Sequence, residues 1–247
     1  MPEITPSKYL VTVGWQDTPH LTEQAKEELL RSTPPHLRDA RSKGIPSQGA
    51  GAIYPISWED VSCPPFQIPE YWPRCYGLDV GWNHRTAAVW LAWDRSVDIV
   101  YAYSEHSRSQ AEPTVHAAAI KARGEWIPGA IDPAAEGRSQ IDGRQLIEEY
   151  RNHGLDLTKA DNSVEAGLLA VFDRLTTGRL KFFKTLQYTE AEYLNYHRDE
   201  NGKIDKVDDD CMDAVRYAVS KLQIARVRPA PKHGLIVPVI GDRVAGY

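Results

Sequence analysis

Three aspartates that are far apart in the sequence stand where strands or helices are expected to end. Asp79 lies in the strand-like stretch "YGLDVGW", Asp132 ends the strand-like run "WIPGAID", and Asp213 comes early in the helical stretch "DDDCMDAVRYAVSKLQ". Hard divalent cations prefer oxygen ligands, chiefly carboxylates. Two such ions about 3.5–4 Å apart can activate a water and stabilise the leaving oxygen in phosphodiester cleavage. The trio therefore predicts metal-dependent hydrolysis, provided that the fold brings the three carboxylates together.

Two further acids precede Asp213 at helical spacing. Asp210 lies three residues before it and Asp209 four residues before it, so either shares a helix face with Asp213. Asp210 or Asp209 is therefore a further candidate metal ligand. Because the first turn of a helix favours acidic side chains with or without a metal, the run is also typical of a solvated helix start.

Each acid also has an ordinary structural interpretation when it is taken alone. Asp79 could be a turn residue before Gly81, and Asp132 could form an Asx turn before Pro133. Burying several carboxylates together is costly, but bound cations reverse that cost. The metal-site hypothesis therefore depends on the three acids together, each at the end of an element.

The elements around these acids predict an α/β fold. "RCYGLDV", "TAAVWLAWD" and "DIVYAYSEHS" are successive strand-like runs with short turns, which predicts an antiparallel meander. Helical and strand-like runs then alternate, which predicts a mixed sheet, antiparallel in its first three strands and then parallel, flanked by helices. In such a sheet the strands that carry Asp79 and Asp132 can be neighbours, and the closing helix can lay its first turn across their ends.

Composition along the chain divides it into three parts. Residues 1–70 are predicted to be a lead-in and linker segment, with a helix over "HLTEQAKEELLRS" that continues helically over "TPPHLRDARSKG". Residues 71–225 are predicted to form the main domain. Residues 226–247 are rich in Pro and Gly and are expected to be a flexible tail. Within the main domain, "YLNYHRDENGKIDKV" places Asn201-Gly202 between two strand-like runs, which is a hairpin signal.

Charge and composition bound the class of protein. The net charge of −5 argues against a protein that coats nucleic acid by bulk charge, but not against a nuclease. The three cysteines form no Cys-x-x-Cys pair, so neither a zinc site nor a disulfide framework is expected. No apolar run approaches the roughly 20 residues of a membrane span, and no signal-peptide pattern is present. We therefore expect a soluble, intracellular protein without a membrane partner.

Basic residues near the predicted site are candidates for contacts with DNA phosphates. Such contacts are made chiefly by Arg and Lys side chains, although solvated surface charge is the ordinary interpretation of each one. The two hairpin lysines are favoured because an exposed two-stranded ribbon can lie along a duplex. The candidates are Arg85, Arg138, Lys203 and Lys206.

Taken together, these motifs resemble the nuclease domain of phage large terminase subunits. The similarity lies in "YGLDVGW" followed by two strands, then "AIDPAAEGRSQ", a hairpin and "DDDCMDAVRYAV". The lead-in "PPHLRDARSKGIPSQGAGAIYPI" is similar to the stretch that joins the packaging ATPase to its nuclease. The resemblance covers roughly residues 5 to 225, and "D-A-x-R-Y-A" is its most specific part.

The resemblance implies a ribonuclease H-like fold and a metal-dependent endonuclease that cuts concatemeric double-stranded viral DNA in the host cell cytoplasm. It implies two divalent cations, Mg²⁺ or Mn²⁺, with Asp79, Asp132 and Asp213 as ligands and catalytic residues. Some members carry a histidine where this chain has Asp210, which leaves three roles for Asp210: ligand, partner of a metal-bound water, or helix cap. The implied partners are the portal protein, the small terminase subunit and an ATPase motor domain.

A motor would need a phosphate-binding loop that ends in Gly-Lys-Ser/Thr. The only Gly-Lys pair is Gly202-Lys203, and Ile204 follows it. The sequence therefore predicts no ATPase motif, as in an excised C-terminal piece or a separately encoded fragment.

Two other functions stay open. "GLDVGWNHRT" also resembles the first phosphate loop of actin-like kinases and ATPases, although those proteins need a second Gly-rich loop and a much longer chain. A non-catalytic module that docks on DNA or on the portal is the other alternative. Such a module would show no carboxylate-dependent binding of Mn²⁺.

Overall fold

The computed structural model describes residues 3–5, 8–9, 14–32, 42, 51–136, 146–199, 202–205 and 208–230. Its strands are β1 Glu3–Thr5, β2 Lys8–Tyr9, β3 Ser62–Cys63, β4 Arg74–Asp79, β5 Thr86–Asp94, β6 Ile99–Arg108, β7 Gly129–Ile131, β8 Leu157–Lys159 and β9 Leu180–Phe183. Its α-helices are α1 Glu23–Ser32, α2 Trp58–Val61, α3 Pro113–Lys121, α4 Leu146–Asn152, α5 Val164–Thr176, α6 Gln187–Asn195 and α7 Asp210–Ser220. Within these ranges no helix is long and apolar enough to cross a bilayer.

Among the described residues, seven strands form one sheet in the order β3-β9-β6-β5-β4-β7-β8. Strands β4, β5 and β6 pair antiparallel, as the short turns between them predict. The remaining pairs, β3 with β9, β6 with β9, β4 with β7 and β7 with β8, are parallel. The predicted mixed sheet, antiparallel in its first three strands, is confirmed.

Helices cover both faces of this sheet, and for that reason its central strands are almost continuously apolar. Side chains along a strand alternate between the faces. Cys75 and Val89 join the core that includes residues of α5, α6 and α7. Tyr76 and Trp90 join the core that includes residues of α3 and α4. The same alternation turns Asp79, four residues after Cys75, toward the face that α7 covers.

Residues on either side of the predicted main domain also contact the sheet. β3 pairs with β9, and Tyr54 and Trp58 are buried in the core that includes α7. At the other end, Arg226 exchanges two backbone hydrogen bonds with Arg74 of β4. The predicted boundaries at residues 70 and 225 stay a prediction. Of the predicted helix over 33–44, only Ser42 is described, and it is helical; the tail beyond residue 230 lies outside the described residues.

Part of one predicted strand is helical. The run that begins at Tyr193 is predicted to form the first arm of the hairpin, and this prediction is wrong for residues 193–195, which end α6. Its buried positions, Thr189, Glu192 and Tyr193, repeat at helical spacing. Of the hairpin itself, the described residues retain an antiparallel bridge between Arg198 and Ile204.

Candidate metal centre

Asp79 is the last residue of β4, and its surroundings are set by the glycine two residues before it. A Cβ atom at Gly77 would lie 2.6 Å from the carbonyl carbon of Ala214 in α7 and closer still to its oxygen. Only glycine therefore lets the backbone of α7 lie directly on β4. This contact brings the first turn of α7 over the carboxyl end of the strand and leaves Asp79 8% exposed.

Asp132 reaches the same place from the neighbouring strand. β4 and β7 are parallel and in register, with Leu78 opposite Ile131, so Asp79 and Asp132 follow equivalent positions at adjacent carboxyl ends. The Oδ1 atom of Asp132 accepts a hydrogen bond of 3.0 Å from the backbone N–H of Ala134. Asp132 is thus an Asx-turn residue and also lines the cleft beside Asp79.

The first turn of α7 completes a cleft of about 620 Å³. Asp210 and Asp213 are buried there, and Asp209 stands at the N-cap position. The structure therefore brings together all five acids that were singled out in the sequence. The residues that line the cleft are Asp79, Val80, His84, Asp132, Pro133, Ala134, Lys159, Asp161, Asn162, Val164, Asp208, Asp209, Asp210, Asp213, Arg216 and Tyr217.

Burial in this acidic cleft perturbs the pKa of Asp79. Burial, followed by the nearby charges of Asp213, Asp132 and Asp210, raises the pKa of Asp79 from 3.8 to about 9. A buried carboxylate surrounded by other carboxylates is strongly disfavoured in its charged form unless cations compensate it. The donor set consists largely of carboxylate oxygens, which is the chemistry that hard divalent cations require.

Asp213 differs from Asp79 because protein groups already hold its carboxylate. The guanidinium of Arg216 donates from Nε to Oδ1 at 3.2 Å and from Nη2 to Oδ2 at 2.8 Å. The hydroxyl of Tyr196 donates to Oδ1 at 3.1 Å. Arg216 packs beneath α5, where a Cβ at Gly167 would lie 2.8 Å from its Cγ. The spacing of Asp and Arg in "D-A-x-R-Y-A" therefore forms an i, i+3 ion pair that fixes the orientation of Asp213.

Asp210 contacts a histidine from the turn between β4 and β5. The Nδ1 atom of His84 lies 2.6 Å from Oδ1 of Asp210. Gly81 makes room for the imidazole, since a Cβ there would lie 2.7 Å from Cγ of His84 and overlap nearer ring atoms. The hydroxyl of Thr86 closes the turn by donating to the carbonyl of Gly81 at 2.8 Å and accepting from its N–H at 3.2 Å. One ligand atom from each of Asp79, His84 and Asp210 lies within 4.8 Å of the other two.

The start of α7 is capped by a residue that no local signal indicated. Oε2 of Glu192, in α6, accepts the backbone N–H groups of Cys211 at 2.6 Å and Met212 at 3.1 Å. Capping motifs in a sequence place the acid within about three residues of the helix start, whereas Glu192 is 19 residues from Cys211. Because Glu192 caps the helix and the carboxylate of Asp210 contacts His84, Asp210 is not the cap of α7.

The two predicted phosphate-binding residues that the structure describes, Arg85 and Lys203, do not line the cleft. Arg85 stacks over the ring of Tyr188 with 4.9 Å between its Cζ and the ring centroid, and Lys203 is exposed on the turn before Ile204. Arg138 and Lys206 lie outside the described residues. A lysine that the sequence analysis missed, Lys159, does line the cleft. It ends the three-residue strand β8, which is too short to give a clear periodic pattern.

Comparisons with known proteins show the family to which the chain belongs. Residues 76–222 match the family described as the terminase RNaseH-like domain. The chain is 34% identical over 228 residues to the large terminase subunit of Salmonella phage P22, a match that covers 90% of this chain and 46% of that protein. The chain thus spans about half the length of the curated relatives it matches.

Solved structures show the same fold. The P22 large terminase nuclease domain superimposes with a TM-score of 0.67 at 33% identity, covering 73% of this chain and 97% of that one. The nuclease domain of bacteriophage SPP1 g2p with bound Mn gives 0.51 at 18% identity, covering 66% and 97%. The large terminase nuclease of thermophilic phage G20c with bound magnesium gives 0.54 at 15% identity, covering 70% and 98%.

Proposed function

The chain belongs to the terminase RNaseH-like domain family, and on that premise we propose that it is an endodeoxyribonuclease. The proposed reaction is hydrolysis of phosphodiester bonds in double-stranded DNA with two divalent cations, Mg²⁺ or Mn²⁺. The proposed substrate in the infected cell is the concatemeric viral DNA from which a packaging terminase cuts unit lengths. The terminase family and the nuclease-domain fold of its solved relatives support this proposal.

The observation that carries the proposal is the meeting of acids from three elements around Asp79. The strand ends of β4 and β7 and the first turn of α7 each contribute a carboxylate to one cleft. Burial and the neighbouring carboxylates raise the pKa of Asp79, which supports a site where a bound cation, rather than the protein alone, compensates the charge. A site of this composition is costly to fold, and cation binding is the function that explains the cost best.

The chain's own residues would hold the ions and orient them. Two divalent cations bound among these carboxylates would supply Lewis-acid activation of a water and stabilise the leaving oxygen. Asp79 is fixed by β4, an interior strand of the sheet, and Asp132 by its own Asx turn. Asp213 is fixed by Arg216 and Tyr196. The SPP1 and G20c domains, which contain Mn and magnesium, support the choice of ion.

The contacts with substrate and partners are a further part of the proposal. Lys159 on the rim of the cleft, together with Arg85 and Lys203 outside it, would contact phosphates. Because the net charge is −5, we expect the isolated chain to bind DNA weakly and to depend on an ATPase motor domain to hold the duplex. The small terminase subunit and the portal protein are the other proposed partners, and the host cytoplasm is the proposed location.

A cleavage assay tests the proposal directly. The purified chain should nick or linearise supercoiled plasmid with Mn²⁺ or Mg²⁺, and chelator should stop the reaction. Asp79→Asn, Asp132→Asn and Asp213→Asn should each lower the rate by at least about 100-fold, because each removes a charged ligand. The matched control is Asp60→Asn, at an exposed aspartate that does not line the cleft. Wild-type cleavage by both Asp79→Asn and Asp213→Asn would refute the assignment.

The same variants separate this function from that of a non-catalytic docking module. A module that only docks on DNA or on the portal should show no carboxylate-dependent binding of Mn²⁺ in calorimetry. A nuclease should bind Mn²⁺ and lose that binding in Asp79→Asn. The solved structures named above are large terminase nuclease domains and lend no support to the actin-like alternative.

A further inference from the structure

We propose that His84 is a nitrogen ligand of one of these divalent cations, together with Asp79 and Asp210, and that it biases this ion position toward Mn²⁺ over Mg²⁺. The inference rests on the proposed metal-dependent function and adds to it a ligand from the β4–β5 turn. No local pattern in the sequence links residue 84 to residue 210.

The distances between the three side chains suit a single ion. In octahedral coordination with bonds of about 2.1 Å, adjacent ligands lie about 3 Å apart and opposite ligands about 4.2 Å apart. The His84 Nδ1 and Asp210 Oδ1 atoms lie 2.6 Å apart, so they would occupy adjacent positions after a shift of a few tenths of an ångström. All three ligand atoms fall within 4.8 Å of one another, which places Asp79 within reach of the same ion.

The imidazole is held in place by its own turn. It packs against the backbone at Gly81, and any residue with a side chain at that position would overlap the ring. Thr86 ties the two ends of the turn together through its hydroxyl. The His84 side chain is nevertheless 60% exposed, so it can make the small movement that coordination requires without disturbing the core.

A histidine nitrogen changes which ion the position prefers. Mg²⁺ is selected by carboxylates, carbonyls and water, and it gives up its own water ligands reluctantly. Oxygen ligands suit both Mn²⁺ and Mg²⁺, but Mn²⁺ is a first-row transition metal and accepts imidazole nitrogen, although more weakly than Fe²⁺, Ni²⁺ or Zn²⁺, whereas Mg²⁺ is a hard ion that prefers oxygen. The position beside His84 therefore discriminates between Mn²⁺ and Mg²⁺, whereas the Asp132 and Asp213 side of the cleft offers carboxylate oxygens.

Pulsed electron paramagnetic resonance on the Mn²⁺-loaded full chain detects a nitrogen ligand without reference to activity. The wild type should show modulation from a directly bound nitrogen-14 nucleus, and His84→Ala should lose it. His153→Ala, at a histidine outside the cleft, should keep it. In calorimetry, His84→Ala should weaken Mn²⁺ binding by about tenfold and Mg²⁺ binding by about threefold or less. His84→Asn, which offers an oxygen instead, should retain ion binding without the nitrogen signal.

Two results would overturn the proposal for His84 without affecting the proposed nuclease function. One is nitrogen modulation that persists in His84→Ala, and the other is its absence from a wild-type chain that binds Mn²⁺ with Asp79-dependent affinity. In the second case the carboxylate centre and the proposed nuclease function would stand without His84. A wild-type chain that binds no Mn²⁺ at all would overturn both proposals.

Discussion

Gly77→Ala is expected to damage the proposed metal centre without touching any of its proposed ligands. The substitution adds one methyl group at the point where β4 and α7 touch. That methyl carbon would lie 2.6 Å from the carbonyl carbon of Ala214 and closer still to its oxygen, whereas Cβ atoms essentially never approach another heavy atom within 3.0 Å. The obstacle is the helix backbone, which cannot rotate away as a flexible side chain can.

The size of the effect follows from that geometry. To restore van der Waals contact, α7 must move away from β4 by a distance on the order of 1 Å. Overpacking of this kind costs about 3 kcal/mol in the free energy of unfolding. Asp213 moves with α7 while Asp79 and Asp132 stay on the sheet, and a misplacement of about 1 Å in a catalytic group can lower the rate by roughly 100-fold.

The assay compares stability and cleavage in the same variants. Urea denaturation gives the loss of stability, and plasmid cleavage with Mn²⁺ gives the rate at a temperature where the variant is folded. Gly178→Ala is the matched control: a Cβ there meets nothing within 4 Å, and its φ of +71° costs the alanine roughly 1 kcal/mol. The control should lose stability but cleave at the wild-type rate. Wild-type stability and cleavage in Gly77→Ala would refute the argument that α7 is seated on β4 through this glycine.

Three further predictions concern the groups around the cleft. Glu192→Ala leaves two buried N–H groups of α7 without their acceptor and should lower the urea-derived free energy of unfolding by about 3 kcal/mol; Glu192→Gln, which keeps an oxygen, should lose clearly less, and equal losses would contradict the capping role. Asp79→Asn should stabilise the metal-free chain. The pKa of Asp79 is raised from 3.8 to about 9 in the folded state. Between these values the folded wild type keeps a proton that its unfolded chain releases, and this proton uptake costs stability. The wild type then loses stability as the pH rises from about 4 toward 9, and the advantage of Asp79→Asn in thermal melts should grow over that window to at least about 2 kcal/mol at pH 8; a pH-independent difference would show that Asp79 is ordinarily ionised. Arg216→Met leaves Asp213 buried without its partner and should lower metal-free stability by about 3 kcal/mol, while saturating Mn²⁺ should restore part of the loss; the same melting temperature shift by Mn²⁺ in wild type and variant would contradict this.

The parts of the fold that were predictable are those with strong local signals. The meander of β4, β5 and β6 follows from three apolar runs separated by short turns. The three acids were found because each comes at the end of an element, where parallel neighbours and a closing helix can bring side chains together. These are properties of short stretches, and a single sequence contains them.

The parts that were missed depend on contacts between distant stretches. Glu192 caps a helix that begins far along the chain from it, and His84 meets Asp210 across two elements. Tyr193 is placed in a strand-like run by its position beside the Asn201-Gly202 hairpin signal, but its burial fits a helix face. In each case tertiary packing, which local patterns do not encode, decides the outcome.

The contact at Gly77 gives a criterion for scanning uncharacterised sequences. A strand-ending aspartate with a glycine two residues after it, as in Asp79-Val80-Gly81, says little by itself. A glycine two residues before that aspartate, however, is demanded wherever a closing helix lies with its backbone against the strand. Sequences that have the acids but a bulkier residue at this position are expected to seat the helix elsewhere, and their acids should not be assumed to share one ion.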